Sequence, residues 1–248
     1  MSEHSVYPNA PITEALLDIR VELPTEVTLE KLETFHSYIK SRFPEKQAQQ
    51  QFTTQLKLSS AGQEILPTST TPLGYRFVSP GKDKIVQARL NGFTFNKLKP
   101  YERWEVFRKE AQELWDLYFK LTNCSRITRI ALRYINRIEL SLPIKDLKEY
   151  ILTTPEIAPD IAQELTHFFM QVFIRNTDKD ATAAITETLQ PNTINNKNVF
   201  LILDIDVFQE RNFLNDMAKM WENFETLRDF KNEVFFKSIT KKTEELFL

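Results

Sequence analysis

The sequence predicts an α+β protein made of two repeated halves, each an antiparallel sheet with one long helix laid across it. Three observations carry this expectation. The frame Trp-Glu-x-Phe occurs at residues 104–107 and again at 221–224, using two of the three tryptophans in 248 residues. The order strand, helix, several strands, long helix runs once before Cys124 and once after it. Ahead of the second frame, "NVFLILDIDVF" aligns with "KIVQARLNGFTF", with Phe208 on Phe95. Self-similarity of this kind marks an internal duplication. The expected division is a lead-in over 1–11, a first repeat over 12–123 and a second over 124–248.

The elements follow from hydrophobic periodicity. In residues 12–23, Ala15, Leu17, Ile19 and Val21 alternate with Glu14, Asp18, Arg20 and Glu22, the period of a half-buried strand. Leu29, Leu32, Phe35 and Ile39 then recur at helical spacing behind Thr28, a candidate N-cap, and Pro44 closes the helix. Residues 51–58 read as a strand, 59–74 as a connection and 74–95 as a hairpin turning at Pro80 and Gly81. A long helix follows over 101–122, with Trp104, Phe107, Ala111, Leu114 and Tyr118 as its apolar stripe. In the second half, 126–140 alternates as a strand and 144–153 reads as a short helix. Residues 156–166 suggest one or two more helical turns. Three strands (167–176, 181–190, 198–208) precede a helical region over 212–248, broken near 236–240, with Thr240 as the N-cap of its last piece. Trp104 and Phe107, like Trp221 and Phe224, lie three apart and anchor each helix on its sheet.

Composition excludes several functions. The formal net charge is −2, so no global basic field draws the chain to nucleic acid or anionic lipid. Four scattered glycines cannot form a phosphate-cradling loop, the three histidines stand in no metal-binding frame, and no G-x-S-x-G elbow is present. The single cysteine, Cys124, forms no intrachain disulfide and reads as a small buried residue. No signal peptide or membrane-spanning stretch is legible, so a cytoplasmic location, no membrane partner and no cofactor are expected.

Three features are candidates for function. Asp204 and Asp206 project from one side of a strand, with Glu210 just beyond; carboxylates so spaced suit Mg²⁺, although a solvated strand face explains them as well. Arg129, Arg133 and Arg137 lie on one strand face at intervals of roughly 13 Å, a spacing fit for phosphates or for cross-strand carboxylates such as Glu14 and Asp18. Asn136 falls on the apolar face of that strand, where its amide needs a partner, with backbone at a sheet edge the expected one. The last helix carries Phe224, Leu227, Phe230, Val234, Phe235 and Phe236, more apolar surface than one sheet face uses, so it is expected either to pack between two layers or to dock in part on a partner.

The element order resembles the duplicated saddle of the TATA-binding-protein fold, which implies one curved sheet around a pseudo-two-fold axis and no particular function. Three stretches also resemble a sporadically distributed prokaryotic family of about 250 residues and unknown function. They are Asn9, Ala10, Pro11, Ile12 and Glu14; Arg133, Tyr134, Asn136 and Arg137; and Trp221, Phe224, Leu227, Arg228, Lys231, Asn232, Phe235, Ser238, Ile239, Thr240, Glu244 and Phe247. The resemblance implies no known activity; its patchy distribution points toward accessory gene cassettes of the antiviral-defence or toxin–antitoxin kind. The leading expectation is a non-enzymatic binding or adaptor protein that holds a protein partner, or a second copy of itself, through a sheet face or the terminal helix. A nucleic-acid binder using the arginine face is the second reading. A metal-dependent phosphotransfer enzyme or nuclease at Asp204 and Asp206 is the third.

Overall fold

The computed structural model describes residues 7–53, 56–59, 62–65, 69–163, 165–191, 197–213 and 217–248. It is α+β. Nine antiparallel strands form one sheet: β1 (Ile12–Glu22), β2 (Glu45–Thr53), β5 (Ser69–Val78), β6 (Lys84–Arg89), β7 (Gly92–Leu98), β8 (Arg126–Ser141), β9 (Phe169–Asn176), β10 (Ala181–Pro191) and β11 (Asn198–Glu210). Their order is β2-β5-β6-β7-β1-β8-β11-β10-β9, and β3 (Leu56–Ser59) and β4 (Gly62–Ile65) pair separately as a small ribbon. The described residues also form four α-helices: α1 (Leu29–Ile39), α2 (Trp104–Thr122), α3 (Met217–Ser238) and α4 (Lys241–Glu244).

The alternation read from the sequence sets the two faces of this sheet. Ala15, Leu17 and Ile19 of β1 sit beside Leu132 and Tyr134 of β8, which sit beside Ile205 and Val207 of β11, and all of them are buried. The helices cover this side. Phe107 of α2 stacks on Phe95 of β7 at 5.3 Å, Trp115 meets Phe93 at 5.8 Å, and Phe35 of α1 reaches Phe77 of β5 at 5.7 Å. At the turn into β7, Gly92 has φ +158°, and a Cβ there would come within 2.5 Å of the Ile19 carbonyl oxygen. Only glycine lets β7 approach β1 so closely.

The two Trp-Glu-x-Phe frames meet. Each Trp receives a side chain from the other helix, four residues beyond that helix's own Trp. Trp104 Nε1 donates to both carboxylate oxygens of Glu225, at 2.9 and 2.8 Å, and Arg108 lies over the Trp221 ring at 6.0 Å. Arg108 also pairs with Glu225 at 3.2 Å. Trp104→Phe keeps an aromatic ring and removes the donor, so it should lower stability by about 1 kcal/mol in urea unfolding; no change would show that Arg108 and Arg228 satisfy Glu225 without it.

Several expectations need correction. The stretch 84–95, aligned with β11 as one strand, is the β6–β7 hairpin. Phe95 is buried under the helices, whereas Phe208 lies on the opposite face beneath Arg129 at 4.4 Å. Equal spacing of apolar residues does not separate a strand from a hairpin when both faces are partly covered. The connection over 59–74 contains β4 and the start of β5. The first half gives the large sheet five strands and the second gives four. The helix expected over 144–153 is a single 3-10 turn, Leu147–Glu149, and 156–166 forms no regular helix among its described residues. Helix α2 starts at Trp104 and α3 at Met217, both later than expected. Residues 54, 55, 164 and 214–216 of the predicted elements lie outside the described residues. Thr28 and Thr240 are N-caps as expected, accepting from the backbone N–H of Lys31 and of Thr243. The apolar surplus of α3 is met within the chain: Phe236 packs on Tyr7 at 6.1 Å, and Phe235 on Phe247 at 6.2 Å. Leu246, next to Phe247, is exposed.

Candidate functional site

No helix among the described residues is long and apolar enough to cross a membrane, and the helices cover only one side of the sheet. The predicted site residues are on the other side. Asp204 and Asp206 share that face of β11, and the neighbouring strand β8 sets Arg129, Arg133 and Arg137 beside them. Arg133 donates through Nε to Asp204 at 2.8 Å, and Arg129 pairs with Asp206 at 2.9 Å. Asp18 of β1 reaches Arg129 at 3.5 Å but is held mainly by Arg89 and Arg20, at 2.7 and 2.9 Å. The partner of Arg133 is therefore Asp204, not Glu14 or Asp18, because β8 lies between β1 and β11 and its arginines lean toward β11. Arg137 lies flat over Phe200, 3.4 Å from its centroid. Glu210 is exposed at the end of β11. Burial raises the Asp206 carboxyl above its ordinary value, with Arg129 opposing it. Among the described residues no group of three or more His, Cys, Asp or Glu side chains is placed to hold a metal ion. The two aspartates are held by arginines, and the same ion pairs balance Arg129 and Arg133, which line a hollow of about 190 Å³ together with Asp18, Arg20, Arg89 and Asp206.

The two sheet edges differ. Glu45, Lys46, Gln47, Gln50 and Gln51 of β2 are polar and exposed, the usual protection of a free edge. Among the described residues, strand β9 pairs only with β10. Phe169 and Phe173 stand on its open-face side with 70% and 65% of their surface exposed, and Ile174 is also exposed.

A third feature escaped the sequence reading. Arg228, Lys231, Asn232 and Phe235 lie at positions i, i+3, i+4 and i+7 of α3, one helical stripe, and face a cleft of about 430 Å³. The cleft is closed by Tyr134 and Asn136 of β8, by Ala10, Pro11 and Ile12, and by residues 101–105 at the start of α2. Lys231 is half-buried, and its ammonium lies over the Tyr134 ring, 4.1 Å from the centroid. Burial, reinforced by the Arg228 charge, pushes that ammonium down to about 7. Among the described residues it has no carboxylate within ion-pair distance and no hydrogen-bond partner. Tyr134 and Tyr101 share a hydrogen bond of 2.9 Å between their hydroxyls, and burial pushes Tyr101 up to about 12. Asn136 is 2% exposed; its Nδ2 donates to the Leu203 carbonyl at 3.0 Å, in the middle of the sheet and not at its edge, while its Oδ1 has no protein partner among the described residues. The three stretches that resemble the prokaryotic family, far apart in the sequence, all contribute to this cleft. The signal in the sequence was the spacing R-x-x-K-N-x-x-F, which on its own reads as an ordinary solvated helix face.

The chain matches no family model and no curated protein sequence.

Proposed function

We propose that the protein is a non-enzymatic binding module that holds a protein partner along strand β9. The observation behind this reading is the unpaired edge of β9 with Phe169 and Phe173 exposed. An open row of backbone N–H and C=O groups beside exposed aromatic side chains is the template for strand addition, in which main-chain hydrogen bonds supply affinity and alternate side chains supply selectivity. The polar opposite edge makes the choice of β9 specific. A second copy of this chain is the simplest partner, since β9 against β9 in antiparallel pairing is self-complementary around a two-fold axis. The matching order of elements around β1 and β8, and the reciprocal contact of the two Trp frames, support reading the chain as a duplicated saddle that presents this edge on a stiff sheet.

The test is molecular mass in solution, by light scattering, for the wild type and for Phe169→Glu/Phe173→Glu. A wild-type dimer that becomes monomeric in the variant is the expected result. A monomeric wild type would move the partner to another protein, and proteins captured from the source cells by wild type but not by the variant would then identify it. Identical capture by both would sink the proposal. Nucleic-acid binding draws less support, because Arg129 and Arg133 are each balanced by an aspartate on the next strand.

A further inference from the structure

We infer that the cleft between α3, β8 and the start of α2 is a binding site for a small organic anion with a flat apolar body, whose anionic group is met by Lys231. Four features of the cleft converge on that chemistry. Its volume, about 430 Å³, is that of a small-molecule site. Its walls are aromatic, with Tyr101, Trp104 and Tyr134 from one side and Phe235 from the other. Its charge is arranged for an anion. Arg228 is only loosely engaged, at 3.8 and 3.9 Å from its carboxylates, and Lys231 has no counter-charge among the described residues. The positive end of α2 opens on the same space, and no side chain caps its first turn.

A desolvated ammonium without a partner is unfavourable, and a lysine on a helix surface normally turns its charge outward to water. Lys231 does not; it lies over the Tyr134 ring. The depressed ammonium is what burial without a counter-ion produces, and an incoming carboxylate or phosphate supplies the missing charge. The free Oδ1 of Asn136, at the buried wall of the same cleft, adds a second requirement. It is an acceptor, so it selects a body that carries an N–H or O–H donor. Together the groups describe an aromatic acid or aryl phosphate with a donor on the ring. This site lies on the helix-covered side of the sheet and does not depend on the β9 proposal.

Isothermal titration of the full chain with 4-hydroxybenzoate, 4-hydroxyphenyl phosphate and the neutral 4-hydroxybenzamide tests the inference directly. Quenching of tryptophan fluorescence follows the same titrations through Trp104. The expected result is that at least one of the two anions binds about 10-fold or more tightly than the amide, with the tighter anion telling carboxylate from phosphate. Lys231→Met should abolish that preference without lowering the melting temperature, while Lys231→Arg should keep most of it. Failure of both anions to bind at millimolar concentration would overturn the inference. So would equal binding of acids and amide, or an unchanged preference in a folded Lys231→Met protein. The comparison of acid with amide needs no variant, so a folding defect cannot hide the answer.

Discussion

Replacing Glu187 by methionine should stabilise the protein, and by about 2 to 3 kcal/mol more at pH 8 than at pH 5. Glu187 lies on the helix side of β10, between Met170 of β9 and Leu203 of β11, and is 1% exposed. Neither of its carboxylate oxygens has a hydrogen-bond partner. Burial raises its carboxyl from the ordinary 4.5 to about 7. The sign follows from linkage. The folded protein holds this proton to higher pH than the unfolded chain does. As pH rises past 4.5 the unfolded chain ionises first, so stability falls until the folded carboxyl also ionises near 7, and is flat beyond. Methionine has similar length and no charge, and its neighbours are already apolar. Glu187→Gln should flatten the pH profile equally but gain less, since its amide would remain unpaired. Urea unfolding at the two pH values decides the matter. A gain of equal size at both would mean that Glu187 is solvated or paired in a way that the fold does not show.

The sheet and its core were largely legible because alternation and helical spacing are local properties. β1, β8, β10 and β11 lie where their periodicity placed them, and the α2 stripe from Trp104 to Tyr118 is buried as expected. What one sequence could not give is which strand lies beside which. The arginines of β8 were rightly placed on one face, but their partners depend on neighbours: β1 on one side, β11 on the other. Arg133 met Asp204, one of the two carboxylates proposed for metal, and so a single arrangement bears on both assignments. The β6–β7 hairpin was missed because Asn91 and Gly92, a turn signal, sat inside an apolar run that aligned well with β11. The cleft at Lys231 was invisible for another reason. Its significance lies in an absent counter-charge, and an absence is a property of three dimensions. The family-like stretches named most of its lining residues, yet nothing in their spacing said that residues 10–12, 134–136 and 228–235 meet.

The open face is held by ion pairs whose removal should be costly, and Asp18→Ala is the sharpest case: about 3 to 5 kcal/mol of stability should be lost at neutral pH. Asp18 accepts from Arg89 at 2.7 Å, from Thr94 at 2.6 Å and from Arg20 at 2.9 Å. Arg89 is buried and cannot lose its charge, so deleting Asp18 leaves a guanidinium with the Thr94 hydroxyl, 2.7 Å away, as its one remaining side-chain hydrogen bond. The cost is that stranded charge, more than the lost attraction. Removing both ends in Asp18→Leu/Arg89→Met should therefore recover much of the loss, and the double-mutant cycle would measure the coupling. Burial alone would raise the Asp18 carboxyl, but the charges of Arg89 and Arg20, with the Thr94 and Arg89 hydrogen bonds, hold it below its ordinary value. Its contribution is thus present at neutral pH and is lost on acidification, as pH falls through the lowered folded value. That slope is opposite to the one at Glu187. The wild type should then be most stable between the two titrations. Asp18→Ala should lose the acid limb and keep the alkaline one, while Glu187→Met should do the reverse. A loss below about 1 kcal/mol in Asp18→Ala would show that Arg89 turns to another acceptor, such as Asp206 across the hollow, and that the face is looser than its ion pairs suggest.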